Sequence, residues 1–145
     1  MEELIQKKNI EVNIDVDNWE DAIKSVGNLL MNSKQIEDGY VNSMINSVKE
    51  LGPYIVLSQG FALAHAAPNT ETVHKPSLAI VTLKKPVKFG SPNDPVKVLM
   101  CLACMDKATH LDLLSKAAKK LIQENFVENA AKCKTVDELY HVIND

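Results

Sequence analysis

The sequence predicts an α/β fold: a single-domain sandwich with a mixed β-sheet flanked by helices. Three observations carry this. Strand-like and helix-like segments follow one another in the order β-α-α-β-β-β-β-α-α-α. The most apolar segment, Val96 to Ala103, reads as a central strand buried on both faces. The chain's 145 residues, 46% apolar and 24% charged, suit one domain with a full core.

The elements follow from local pattern. Ile10, Val12, Ile14 and Val16 alternate with polar residues, the period of a half-buried strand. Asp17 or Asn18 is placed to cap a helix that carries Trp19, Ala22, Ile23, Val26, Leu29 and Leu30 on one face. A second helix is expected from about Gln35 to Leu51, with Tyr40, Met44, Val48 and Leu51 inward, stopped by Gly52-Pro53. Tyr54 to Leu57 reads as a short strand, and a Ser-Gln-Gly turn leads on to His65. A loop from Pro68 to about Lys75 precedes a buried strand, Ser77 to Leu83. Lys84-Lys85-Pro86 separates it from a further short strand at Val87-Lys88-Phe89, and Gly90 to Pro95 has the turn chemistry of a loop. After the central strand, Thr109 with Asp112 resembles a capping box, and Leu111, Leu114, Ala118, Leu121 and Ile122 follow at helical spacing. A short helix is expected over Glu124 to Lys132. Thr135 with Glu138 opens the last helix, with Val136, Leu139, Tyr140 and Ile143 inward.

Composition removes several function classes. A net charge of −3 disfavours non-specific nucleic-acid binding. All sixteen basic residues are lysine, so no arginine fork can hold a phosphate or carboxylate. Lys84, Lys85, Lys88 and Lys97 could form a basic rim or simply a solvated face. The longest apolar run, Val98 to Met105, is far short of a membrane span, and the acidic start Met1-Glu2-Glu3 is unlike a signal peptide, so a cytoplasmic protein is expected. Cys101-Leu-Ala-Cys104 lies within the apolar strand, where residues three apart face opposite sides, so it reads as two buried small hydrophobes. Cys133 stands alone. No histidine spacing suits a metal, and neither Gly-rich nucleotide loop occurs, which argues against a cofactor and against an ATP-dependent kinase. Any phosphate handled here must come from a phosphorylated partner.

Two of the four histidines stand out. His65 sits among Ala62, Ala64, Ala66 and Ala67, small neighbours that leave an imidazole open to a large partner. A neutral imidazole can form a phosphoramidate, and near neutral pH much of the ring is neutral. The competing reading is a partly buried side chain filling space beside a loop. His110 is expected at the first helical position after a Thr109 cap, where unpaired N–H groups and the helix dipole favour an anion. Its competing reading is a solvated helix-start residue. Ser58 and Gln59 are candidates for a supporting shell around a phosphate. His74 and His141 read as surface histidines.

In sequence order, these features resemble the IIA component of the bacterial sugar phosphotransferase system, in the mannitol–fructose class and most closely its ascorbate-type branch. The resemblance rests on Gly52-Pro-Tyr-Ile-Val-Leu57, on Leu63-Ala-His65 with Pro68, on Leu78 to Val87, and on Asn93-Asp-Pro95 through Asp106-x-x-Thr-His110. Cys133 to Leu139 also fits. It implies one IIA type-2 domain over residues 1–145. It also implies that His65 accepts the phosphoryl group of phospho-HPr, that His110 helps hold it, and that a cysteine of the matching IIB component receives it. The membrane IIC component would be reached only indirectly. Ascorbate or a related compound is the implied cargo. Two departures stand out. The family usually has proline before the active histidine, where this chain has Ala64, so a looser loop is expected. Ascorbate-type relatives often carry arginine where this chain has Ala67. These departures keep open a second function, a regulatory module whose binding depends on the state of His65.

Overall fold

The structure is a computed structural model that describes residues 3–145. A five-stranded mixed sheet has the order β1-β4-β5-β3-β2, formed by β1 (Ile10–Ile14), β2 (Val56–Ser58), β3 (Phe61–Ala64), β4 (Ser77–Val87) and β5 (Val96–Ala103). β1 runs parallel to β4 and β3 parallel to β5, while β4 with β5 and β2 with β3 are antiparallel. Helices α1 (Trp19–Asn32) and α2 (Asp38–Leu51) cover one face, and α3 (Lys107–Leu121), α4 (Phe126–Ala131) and α5 (Val136–Asn144) cover the other. This is the expected sandwich, with β5 at its centre. Among the described residues, no helix is long and apolar enough to cross a membrane.

Alternation along the central strands sorts side chains into two cores. Ala62, Ala64, Ala79, Leu99, Cys101 and Ala103 face α1 and α2, whereas Phe61, Leu63, Ile80, Met100 and Leu102 face α3, α4 and α5. The first set is mostly alanine, which makes room for two tightly packed helices. They meet at Gly27 of α1, where an added Cβ would lie 2.7 Å from Val41 Cγ2 of α2. Helix starts follow side-chain chemistry. Asn18 caps α1 by accepting the Asp21 N–H at 2.8 Å, and Thr135 with Glu138 forms the expected capping box on α5.

Several elements depart from the sequence expectation. The alternation at the N-terminus does not mark one face. Asn13 has φ 54° and the register with β4 shifts between Glu11 and Ile14. That bulge puts Ile10 and Val12 in the core under α5, and Ile14 and Val16 in the core under α1. α2 begins at Asp38, because Ile36 instead makes an antiparallel bridge to Val73. Its final residue Leu51 is 71% exposed rather than inward. β3 was not legible as a strand: Phe61-Ala-Leu-Ala is short and buried on both faces, so it shows no alternation. The expected break at Lys84-Lys85-Pro86 is a bulge in one long strand. The register with β5 shifts between Thr82 and Val87, and the three bulged residues are exposed, where a proline without an N–H is tolerated. α3 begins two residues before Thr109 and turns a different face inward, so that Leu113, Leu114, Ala117 and Leu121 pack while Leu111, Ala118 and Ile122 are exposed.

The close approach at Gly27 gives a test of the α1–α2 packing. Gly27→Ala gains up to about 1 kcal/mol of helix propensity but overpacks a rigid β-branched neighbour at a cost of about 1–3 kcal/mol. Net destabilisation of about 1 kcal/mol is expected in urea unfolding. A stabilised variant would contradict the packing.

Candidate active site

The parallel strands β3 and β5 lie side by side, with Phe61 opposite Val98 and Ala64 opposite Cys101. Their carboxyl ends therefore emerge together, the place where open α/β sheets present ligand sites. His65 follows β3 directly. α3 follows β5 after a short turn and carries His110. The two imidazoles come within 5.8 Å, centre to centre, with their planes 59° apart. Residues 45 positions apart in the chain thus form one pair.

His65 is not the open imidazole that its alanine neighbours suggested. It is half-buried, with the Tyr54 ring at 5.2 Å in an edge-to-face arrangement and the His110 ring at 5.8 Å both beside it. Its Nδ1 lies 2.7 Å from the Leu63 carbonyl. A carbonyl only accepts, so this contact assigns the proton of the neutral ring to Nδ1 and leaves the lone pair on Nε2. Burial lowers the His65 pKa below 6.5, and proximity to His110 lowers it further, against the opposing Leu63 hydrogen bond. The ring is therefore held largely neutral near neutral pH.

The loop after β3 is also firmer than the missing proline suggested. The Tyr54 hydroxyl donates to the His65 carbonyl at 2.9 Å. The Tyr40 hydroxyl accepts the Ala66 N–H at 3.0 Å and donates to the Leu102 carbonyl at 2.8 Å, which ties the residue after His65 to β5. Burial raises the Tyr40 phenol far above its ordinary range, so it remains a donor. Further on, the Asn69 N–H reaches the Cys104 carbonyl at 3.1 Å, and its side chain accepts the N–H groups of Glu71 and Thr72. Neither tyrosine was singled out from the sequence. No local pattern marks either one, because each reaches the His65–Ala66 peptide only through tertiary packing.

α3 starts differently from the expectation, with a consequence for anions. Asp106, not Thr109, is the cap. Its Oδ1 accepts the Thr109 N–H at 2.8 Å, and the Thr109 hydroxyl donates back to the same carboxylate. These bonds lower the Asp106 pKa, so a carboxylate already occupies the place an anion would take. His110 is the fourth helical residue, and its N–H donates to the Asp106 carbonyl at 3.1 Å. Its Nδ1 is buried without a hydrogen-bond partner. Ser58 and Gln59 are not brought to the pair. Ser58 pairs with Phe61 at the opposite end of β3 from His65, about 13 Å of extended chain away, and Gln59 forms the adjoining turn.

The remaining candidates lie elsewhere. His74 pairs with Glu37 at 2.7 Å and His141 with Asp145 at 3.3 Å, all exposed. Cys101 and Cys104 belong to opposite cores, and burial pushes their thiols up to about 12 and about 11. Among the described residues, no three His, Cys, Asp or Glu side chains are grouped to hold a metal ion. A disulfide-exchange reagent added to the native protein at pH 7 is expected to leave Cys101 and Cys104 unmodified until denaturant is added. Rapid titration of either thiol would contradict their burial.

Comparison with known proteins identifies the family and the fold. The family model described as phosphoenolpyruvate-dependent sugar phosphotransferase system, EIIA 2, matches residues 3–145. The ascorbate-specific PTS system EIIA component of Shigella boydii serotype 4 is 34% identical over 144 residues, spanning 97% of this chain and 92% of the relative. The solution structure of the mannitol-specific cryptic phosphotransferase enzyme IIA CmtB from Escherichia coli has the same fold, with a TM-score of 0.87 over 98% of each chain at 23% identity. So does the complex of enzyme IIAMTL and phosphorylated enzyme IIBMTL from Escherichia coli, at a TM-score of 0.80 over 96% of each chain and 22% identity. A family match over nearly the whole chain places it as a sugar phosphotransferase component: the chain belongs to the EIIA type-2 family of the phosphoenolpyruvate-dependent sugar phosphotransferase system.

Proposed function

We propose that this chain is a phosphocarrier whose acceptor atom is Nε2 of His65. The observation that carries the reading is the Leu63 contact, which assigns the ring proton to Nδ1 and leaves Nε2 nucleophilic. Phospho-HPr is the donor. Its N–P bond breaks as the Nε2–P bond to His65 forms, while the proton stays on Nδ1, hydrogen-bonded to the Leu63 carbonyl. In the second transfer a cysteine thiolate of the cognate IIB component attacks phosphorus. The S–P bond forms, the Nε2–P bond breaks, and neutral His65 is restored. The fold shared with the IIA–IIB complex and the ascorbate-specific relative support a IIB partner and ascorbate or a related compound as the cargo. The cytoplasm is where such a relay to a membrane IIC component would run.

Both transfers move a phosphoryl group between linkages of comparable energy, so positioning and charge stabilisation carry the rate. No arginine is available. His110, next to His65 and with one buried nitrogen unpartnered, is the group that would hold the phosphoryl oxygens. The contact between partners has to be short-lived, since HPr and IIB dock in turn.

Three outcomes test the reading. With phosphoenolpyruvate, Enzyme I and HPr, the wild type should gain one acid-labile phosphate by intact mass, and His65→Ala none. Stoichiometric phosphate on the variant would refute the assignment. His110→Ala should slow acceptance about a hundredfold with little change in the KM for phospho-HPr, and an equal loss in docking would refute its role at the transition state. The acceptance rate should also fall on the acid side with an apparent pKa below 6.5, because protonation of Nε2 removes the nucleophile and His65 is lowered by burial. A midpoint above 7 would contradict that environment. Stable binding to a regulator with no onward transfer to any IIB protein would instead favour the regulatory reading left open by Ala64 and Ala67.

A further inference from the structure

We infer that Tyr54 is a positioning residue for phosphoryl transfer at His65, holding the histidine backbone by its hydroxyl and the orientation of the imidazole by its ring. The inference rests on the phosphocarrier reading for its kinetic consequence, but its structural claim can be read without it.

A histidine ring turns about two side-chain bonds. The single Nδ1–H bond to the Leu63 carbonyl fixes one point of the ring and still allows it to swing about that point. Something must close off the swing if Nε2 is to meet phosphorus in line. The residues next in sequence cannot do so, because Ala64, Ala66 and Ala67 have no side chain beyond Cβ. Proline, which would stiffen the backbone before the histidine, is absent. Among the described residues, the rings against His65 are Tyr54 at 5.2 Å and 86°, and His110 at 5.8 Å and 59°. Two rings therefore pack against the imidazole. One of them, His110, is engaged with the phosphoryl group in the proposed mechanism. Tyr54 is the wall free of that task, and the same side chain also bonds the His65 carbonyl at 2.9 Å.

Tyr54 is itself well placed to act as a fixed wall. α2 ends at Leu51, and Gly52 adopts φ 83°, a backbone conformation that suits glycine and redirects the chain at once. The Tyr54 N–H closes a tight turn on the Gly52 carbonyl at 2.8 Å, and the Val56 N–H bonds the Pro53 carbonyl at 3.1 Å. The Ile55 carbonyl accepts the Leu63 N–H at 2.8 Å, which joins the tyrosine segment to the strand that presents His65. Burial raises the Tyr54 pKa above 10, against an opposing hydrogen bond from Ser47, so the hydroxyl stays protonated as a donor throughout the working pH range. The ring is nonetheless 36% exposed, so it forms the rim of the site as well as its wall.

The test compares wild type, Tyr54→Phe and Tyr54→Leu. All three are first matched for thermal unfolding and for dispersed amide spectra. Long-range 1H–15N spectra then report the His65 ring. The wild type should show the neutral tautomer with hydrogen on Nδ1, Tyr54→Phe should keep most of it, and Tyr54→Leu should show tautomer averaging. In rapid-quench assays with phospho-HPr, the maximal rate should fall about tenfold to a hundredfold in Tyr54→Leu, less in Tyr54→Phe, with the KM for the donor nearly unchanged. Rescue by phenylalanine separates the wall from the hydroxyl. An unchanged His65 tautomer together with an unchanged maximal rate in Tyr54→Leu would overturn the inference. So would a rise confined to KM, which would make Tyr54 a docking contact. If wild type accepts no phosphate, the phosphocarrier reading fails, and the tautomer comparison still decides whether Tyr54 orders the ring.

Discussion

The parallel pairing of β3 with β5 is the constraint on which the site depends. Four register pairs, from Phe61 with Val98 to Ala64 with Cys101, bring two chain segments to the same edge of the sheet. His65 and His110 meet because each lies just beyond the end of one of these strands. A slip of one residue would exchange the two faces of β3. It would move Phe61 and Leu63 into the alanine-lined core under α1 and α2, and bring Ala62 and Ala64 opposite the helices that need bulk. The two unequal cores therefore fix the register, and the register fixes the histidines. Packing far from the site in this way controls the distance between its two rings.

The proposed acceptor role places two demands on His65. Half-burial keeps the ring neutral by penalising its charged form, yet Nε2 must remain reachable by another protein. Burial serves the first, and one backbone contact bears on the second. The Leu63 carbonyl, two residues back along the strand, accepts a hydrogen bond from Nδ1–H and so assigns the free lone pair to the other nitrogen. Hydroxyls of Tyr54 and Tyr40 then hold the two ends of the single peptide unit that follows His65, its carbonyl and the Ala66 N–H. These hydrogen bonds anchor the peptide just after His65 through side chains drawn from α2 and from the turn before β2.

Much of this was legible in the sequence where the signal was local. The sandwich, the central place of Val96 to Ala103, and the cap of α5 follow from apolar patterning and from Thr135 with Glu138. Cys101 and Cys104 fall on opposite faces as a strand period requires. His65 and His110 were picked out as a pair, but their 5.8 Å approach depends on strand pairing, which no local pattern encodes. Local signals also misled where tertiary structure overrode them. The alternation of Ile10 to Val16 hid a bulge at Asn13, and Phe61 to Ala64 hid a strand because both of its faces are buried. Thr109 looked like a cap because Asp112 follows it by three residues, whereas Asp106, three residues earlier, is the cap and accepts both the Thr109 N–H and its hydroxyl. Ser58 and Gln59 are close to His65 in sequence and far from it along an extended strand. Tyr54 and Tyr40 are the opposite case.

The central claim is that phosphorus is carried on one particular nitrogen. Phosphorylating uniformly 15N-labelled protein with phosphoenolpyruvate, Enzyme I and HPr, and recording long-range 1H–15N spectra with phosphorus coupling, reads that atom directly. The account predicts a single phosphorus on Nε2 of His65, with hydrogen still on Nδ1. Phosphorus on Nδ1, on His110, or nowhere in a folded protein would contradict it.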